Sequence, residues 1–414
     1  MNARRVCIIV TPAVNRPRLF IASCVALIAT AMSFAIRGDI MGDVQRLLVL
    51  DDVQVGWILG AAFWGFGLSI LIGGPLCDVL GMGTIIRLAA LGHILGALMT
   101  VFSTSFAMFF AATVVVGVAN GLVEAAINPL VATLYSEDKT RRLVTLHAWF
   151  PGGIVIGGVL AFLFTQFGLN WQAKTLLLLP PSIVYAFMVV GQQFPQTELK
   201  AAGVPFGDMF REITRPLFLI VWAAMWMTAA TELGPGSWIP TIFNRVMGSS
   251  AQAGILVVVW INGLMYVMRQ FGANAAHAVS PVALIGITAI PAAAGLYLFS
   301  LANSALAAFA AAGLFAAGIA FWWPTMLGIT SERFPRGGAL LLAIIGASGS
   351  FSTAIAGPIM GWISETYGTG RVLAYWALLP CVLVAIFGAI YVYDKRRGGY
   401  AVEKLPPQSA KVVS

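Results

Sequence analysis

Charge is what this chain has least of. Only 10% of its 414 residues are Asp, Glu, Lys or Arg, against 59% hydrophobic, whereas soluble globular domains carry about 25% charged residues. That scarcity excludes a soluble globule and points to an integral membrane protein. Cysteine is scarce too: Cys7, Cys24, Cys77 and Cys381 stand far apart, with neither metal-ligand spacing nor a disulfide framework. Redox chemistry and metal binding are therefore unsupported. The glycine-rich run PGGIVIGGV, residues 151–159, is not a phosphate loop, because it lies inside an apolar stretch and lacks the following Lys-Ser/Thr. With no nucleotide motif and no nucleophile–base pair, the expectation is a protein that is not an enzyme and uses no cofactor. Energy would come from an ion gradient or from the substrate's own gradient. No leader peptide is expected, since the first apolar run, 19–36, is long and lacks a small-residue cleavage pattern.

What is there is a succession of long apolar runs, near 19–41, 54–75, 84–103, 106–134, 143–167, 174–193, 216–240, 252–271, 281–301, 303–328, 338–363 and 371–393. Most reach the ~20 residues a helix needs to cross a hydrocarbon core. The expected fold is an all-α membrane protein with twelve transmembrane helices. The net charge of +8 does not call for nucleic acid, because in a membrane protein the position of the cations matters first. With the N-terminus cytoplasmic, 19 of the 24 Lys and Arg fall inside, including Arg141, Arg142, Arg336, Arg396 and Arg397; Arg46, Lys174, Arg245 and Arg371 fall outside, and Arg37 lies within the first span. The positive-inside rule then puts both termini in the cytoplasm, in the inner (plasma) membrane.

The longest polar connection, 194–215, reads as a cytoplasmic linker between two six-helix bundles, 1–193 and 216–393, with 394–414 as a cytoplasmic tail. A shift of 195 residues brings Pro129 onto Pro324, Ser136 onto Ser331, Glu137 onto Glu332 and Arg141 onto Arg336. This parallel internal repeat is the mark of two-bundle secondary transporters, whose substrate site lies between the halves near the bilayer midplane. Glycines 152, 153, 157 and 158, and 346, 349, 357 and 361, are spaced to let helices approach closely and slide.

One carboxylate stands out. Glu124 sits inside the apolar run 106–134, where a charge costs roughly 2.5–3.5 kcal/mol on insertion scales. It reads as part of a transport site, the alternative being a snorkelling or paired structural carboxylate near the cytoplasmic end. Proton coupling asks for a carboxylate that holds its proton when desolvated and releases it when water or a cation arrives. Glu124 and Asp39 are the candidates. For Arg37 and Asp39 a second reading stands open, an interfacial ion pair at the outer end of the first helix, because 18 apolar residues already cover about 27 Å. In the second half, the stretch TELGPGSW, 231–238, interrupts a span with Glu232, two glycines, a proline and Trp238. Broken helices at membrane depth are tolerated where they line a cavity. Glu232 would accept hydrogen bonds from a polyol and Trp238 would face a sugar ring, unless the stretch simply ends the helix. Asn128, His147, Asn262 and Trp323 are further substrate-binding candidates, the alternative for a single histidine or tryptophan being a packing or interface role. Arg269 is read equally as snorkelling from the inner end of its span or as a counter-charge for an anion. Trp222 and Trp226 share a face that meets either cavity or lipid.

Between the second and third spans, Gly74, Asp78 and Gly81 hold the Gly-x-x-x-Asp-x-x-Gly spacing. With twelve spans and a six-plus-six repeat, the chain resembles the major facilitator superfamily over essentially its whole length, although Met82 and Gly83 stand where basic residues are common. The resemblance implies that Asp78 meets the N-terminus of the eleventh helix, at Gly337 and Gly338 after Arg336, where the helix dipole favours an anion, so that Gly74, Asp78, Gly81 and Arg336 form a conformational latch. In the fourth helix, Gly117, Gly121, Glu124, Asn128 and Pro129 resemble the pattern of the fucose–galactose–glucose proton symporters. Those symporters carry an aspartate in the first helix, for which Asp39 is the counterpart chosen over Asp43. The resemblance implies a proton-coupled carrier of a monosaccharide or similar polyol, acting as a monomer, with protons, the small solute and the lipid bilayer as partners. Alternatives are an exporter or carrier of another polar or anionic solute and a non-transporting sensor.

Overall fold

The computed structural model describes residues 14–201, 207–239, 242–243, 251–276 and 279–404. Cys7 and the cations Arg4, Arg5, Arg245 and Lys411 lie outside them, as do Pro240 and parts of the linker and tail. Among the described residues every regular element is helical. Among the described residues eleven helices are long and apolar enough to cross a membrane: α1 Arg16–Leu47, α2 Gln54–Leu80, α3 Met82–Val101, α4 Phe106–Leu134, α5 Lys139–Gln166, α6 Trp171–Val189, α7 Pro216–Gly236, α9 Pro281–Leu301, α10 Ala305–Arg333, α11 Pro335–Tyr367 and α12 Thr369–Arg396. A twelfth, α8, runs Ala251–Ala276 and contains the shorter apolar segment Leu256–Gly272.

Helix starts follow local chemistry. Asn15, Ser105, Ser280 and Ser304 each accept a backbone N–H from three residues on, and Asp51 forms a capping box with Gln54, satisfying donors that have no intrahelical partner. Prolines explain the breaks. α5 is interrupted at Ala148 and α10 at Ala320–Phe321, each a short distance before a proline, Pro151 or Pro324, that has no N–H to give the carbonyl four residues earlier. Pro129 does the same to Ala125 in α4, and there the Cys77 thiol takes the vacated acceptor at 3.5 Å.

Packing repeats as the sequence does. In the first half α2 and α3 pack on α4, α1 on α5, and α3 on α6; in the second α8 and α9 pack on α10, α7 on α11, and α9 on α12. Between halves the contacts run from α2 and α4 to α11 and from α5 to α8 and α10. At the linker end Thr140 donates to Glu332 across the halves at 2.5 Å. The tail folds back over the same place: the Tyr400 hydroxyl donates to the other Glu332 oxygen at 2.8 Å, and Arg215 grips Glu403 with two bonds of 2.5 and 3.0 Å.

Glycine sets the closest approach. A Cβ on Gly121 would lie 1.9 Å from the Ser69 hydroxyl and 2.2 Å from the Phe66 carbonyl of α2, so α2 and α4 pack backbone to backbone. Gly121→Val is expected to lower stability by at least the ~1–3 kcal/mol typical of overpacking. Thermal unfolding in detergent would measure it, and an unchanged midpoint would refute the tight contact.

Candidate functional site

A cavity of about 180 Å³ lies between the halves. The first half contributes Phe34 of α1, Phe63 and Phe66 of α2, Glu124 of α4, and His147, Phe150 and Ile154 of α5; the second contributes Glu232 and Leu233 of α7, Arg269 of α8, Trp323 of α10, and Ser350 and Thr353 of α11. An adjoining cavity of about 250 Å³ shares Phe34, Phe150, Ile154, Glu232 and Leu233 and adds Asn262. The wall of the first cavity thus sets five phenylalanine and tryptophan rings and two aliphatic side chains against six polar ones, an apolar lining with convergent polar groups as expected of a small-molecule site.

Those polar groups form one chain. The Asn128 amide donates to Glu124 Oε2 at 2.8 Å, and its oxygen lies 2.9 Å from His147 Nε2. Because an amide oxygen only accepts, His147 is the donor there and carries its proton on Nε2. The His147 carbonyl accepts from Arg269 Nη1 at 3.0 Å, and Arg269 Nη2 donates to Glu232 Oε1 at 2.7 Å. Arg269 Nε donates to the Ala320 carbonyl. Glu124, Asn128, His147 and Arg269 are all buried, and the side chains of Arg269 and Glu232 are 2% and 5% exposed. A buried pair of this kind is costly to break from one side, about 3–5 kcal/mol. Arg269 is therefore committed on all three sides, whereas no arginine or lysine pairs with Glu124 among the described residues. Ser350 and Thr353 donate to carbonyls of their own helix, which leaves their oxygens able to accept.

Most sequence candidates gather here, but not all. Glu124, Glu232, His147 and Trp323 line the cavity, and Asn128 orients Glu124 from behind. Asn262 lines the adjoining space with its amide turned back to Val258. Trp238 packs partly buried against the apolar core and lines neither cavity. Asp39 lies away from Glu124 and accepts from Lys174 of α6 at 2.6 Å, while Arg37 turns instead to Thr113 and the Phe109 ring. Asp43 pairs with Arg46 on the surface. The expected meeting of Asp78 with α11 is replaced by another: Asp78 accepts from Thr197 of the linker, and Lys200 reaches the Asp78 carbonyl at 3.3 Å. Contact with α11 is made by Gly74, whose Cβ would fall 2.3 Å from Ala343 and 2.7 Å from the Ala339 carbonyl. Gly81 turns the chain at φ +83, and Arg336 is exposed. Trp222 donates to Ser348 of α11 at 2.8 Å, so its polar edge faces protein.

Arg269 is the residue that hydropathy hid. Snorkelling does not describe it, since it is 1% exposed and turned inward. The signal for it was present as two prolines, Pro151 and Pro324, each of which leaves a buried carbonyl in need of a donor. The ring-bearing walls of α1, α2 and α5 were also missed, because phenylalanines in apolar spans carry no sign of which face they occupy.

The comparisons with known proteins agree with this architecture. The chain is 24% identical over 385 residues to the membrane protein MosC of Rhizobium meliloti, covering 90% of this chain and 91% of that one. It is 24% identical over 402 residues to the 3-(3-hydroxy-phenyl)propionate transporter of Escherichia coli (strain K12), covering 94% and 97%. Among solved structures, the E. coli fucose:proton symporter superposes with a TM-score of 0.75 at 16% identity, over 89% of this chain and 98% of that one. The model of the Major Facilitator Superfamily matches residues 19–339, and with a twelve-helix fold built around a central cavity the chain belongs to that superfamily of membrane transporters.

Proposed function

We propose that the chain is a proton-coupled symporter of a neutral polyhydroxylated solute, a monosaccharide or similar ring polyol, in the cytoplasmic membrane with both termini inside. The observation that carries this reading is the division of labour between the two cavity carboxylates. Glu232 neutralises Arg269, so the pair presents no net charge to a substrate, and among the described residues no arginine or lysine pairs with Glu124, which has as basic partner only the His147 ring nitrogen at 4.0 Å. An anion entering this space would meet two carboxyl groups and a guanidinium whose charge is already paired with one of them and three of whose five N–H donors are engaged. A neutral ring stacks its apolar face on Phe34, Phe66, Phe150 or Trp323 and offers hydroxyls to Glu232, Ser350 and Thr353. Glu124 takes a proton while exposed to one side and loses it to the other. Likeness in fold to the fucose:proton symporter supports the reading.

A second reading, an aromatic acid carrier, is favoured by the near full-length likeness to the 3-(3-hydroxy-phenyl)propionate transporter and by the phenylalanines of the wall. It requires Arg269 to leave Glu232 for the substrate. Uptake into proteoliposomes, with and without an inward proton gradient, separates the two. The expected result is gradient-dependent accumulation of one labelled monosaccharide from a panel, collapsed by an ionophore. Movement of 3-(3-hydroxyphenyl)propionate with no sugar moving would replace the first reading by the second.

A further inference from the structure

Arg269 serves three elements at once, and two of its acceptors have a common origin. The carbonyls of His147 and Ala320 are the ones that would bond to the N–H of residues 151 and 324 in an unbroken helix, and both of those residues are proline. Neither carbonyl can receive the usual bond from the N–H four residues on in its own helix. Buried backbone acceptors are nearly always paired, and here the same guanidinium pairs both, Nη1 with His147 and Nε with Ala320. His147 belongs to the first half, whereas Ala320, Glu232 and Arg269 belong to the second, so the His147 contact crosses between the halves at the depth of the cavity. A guanidinium presents its donors in a rigid fork and can serve two carbonyls and a carboxylate together; an ammonium cannot hold that geometry.

We infer that Arg269 is the positioning residue that registers the two halves at substrate depth, by filling the hydrogen-bonding positions that Pro151 and Pro324 leave open while holding Glu232 at the cavity wall. The two proline breaks act as sockets and the guanidinium as the pin that joins them. Through His147 and Asn128 the same pin is continuous with Glu124, so a change at either carboxylate is felt where the halves meet. The transport part of this inference rests on the symporter reading; the structural part does not.

The test is a distance measurement by pulsed electron resonance on the full chain in lipid nanodiscs. Spin labels replace Phe167 and Leu306, exposed at the ends of α5 and α10 away from the linker, with Cys7 and Cys381 changed to serine. Arg269→Gln removes the fork. Pro151→Ala leaves Arg269 intact but gives the His147 carbonyl an N–H within its own helix. Both are expected to redistribute the label distances in the same direction, and the double variant to shift no further than the larger single one, because the N–H that Pro151→Ala supplies competes with Arg269 for the His147 carbonyl, the bond between the halves that Arg269→Gln also loses. Arg269→Lys should behave as Arg269→Gln does. Additive shifts, or an effect of Arg269→Gln with none from Pro151→Ala, would overturn the inference. If Arg269→Gln fails to fold because Glu232 is left unpaired, Arg269→Gln with Glu232→Gln removes both charges and takes its place. In proteoliposomes, exchange of the labelled monosaccharide by Pro151→Ala should show a lower kcat with KM little changed. If no sugar moves in the unmutated protein, the symporter reading fails, while the distances still decide the role of Arg269.

Discussion

Glu124→Gln is expected to abolish proton-driven accumulation and to leave exchange of substrate across the membrane intact. Glutamine keeps the size of the side chain and can still accept the Asn128 hydrogen bond, which is 2.8 Å long in the wild type. The one thing it cannot do is gain and lose a proton. An interaction that differs between two states is the only kind that shifts an equilibrium between them, and a permanently neutral residue 124 no longer reports which side supplies protons. Accumulation in proteoliposomes under an inward proton gradient should fall to the level seen without the gradient, while counterflow of preloaded sugar continues. Equal loss of both activities would mean that Glu124 holds substrate or structure and carries no proton. Gradient-driven accumulation at the wild-type level would remove it from coupling altogether.

Gly74→Val is expected to disable the cycle by a different route, without touching the cavity. α2 meets α11 across the halves at Gly74, where a Cβ would stand 2.3 Å from the Ala343 methyl and 2.7 Å from the Ala339 carbonyl. Both obstacles are short and fixed, one a methyl and the other backbone, so neither can swing aside as a long side chain would. Relief comes from separating the halves at the linker end. Overpacking costs about 1–3 kcal/mol, and each ~1.4 kcal/mol is tenfold in an equilibrium. The state closed at that end should therefore lose on the order of 10-fold or more in population relative to the alternative. A cysteine placed at Ser331, buried in the closed linker end, should be alkylated much faster in the Gly74→Val background, and net uptake should fall while the protein still elutes as a single folded species. Unchanged alkylation and uptake would show that the α2–α11 contact does not govern access.

The loop motif around Gly74 illustrates how the sequence and the structure divide the information. The spacing of Gly74, Asp78 and Gly81 identified the loop, and the tight meeting with α11 is there. The residue that makes it is the glycine, because only a missing side chain lets two backbones approach so closely, whereas Asp78 bonds to Thr197 of the linker. Asp39 shows the same division. Its position at the C-terminal end of the first apolar run was legible, and one of the two readings made it an interfacial ion pair. The partner is Lys174, 135 residues away in α6, and not Arg37 two residues before it, since neighbours two apart on a helix face different ways.

What the sequence determined by itself is the set of local and additive properties. Hydropathy summed over about twenty residues set the spans, the 195-residue repeat announced a paired architecture, and an acidic residue in an apolar helix marked Glu124, because the cost of burying a charge is paid wherever the chain folds. The tertiary structure alone decided the pairings. Whether Arg269 snorkels to the interface or turns inward depends on what lies across the gap, and what lies there is a carboxylate 37 residues back, a carbonyl 122 residues back and another 51 residues on. Those three acceptors converge only when α5, α7, α8 and α10 are packed, and hydrogen bonds at about 3 Å are too short-ranged and directional to be read from composition along the chain.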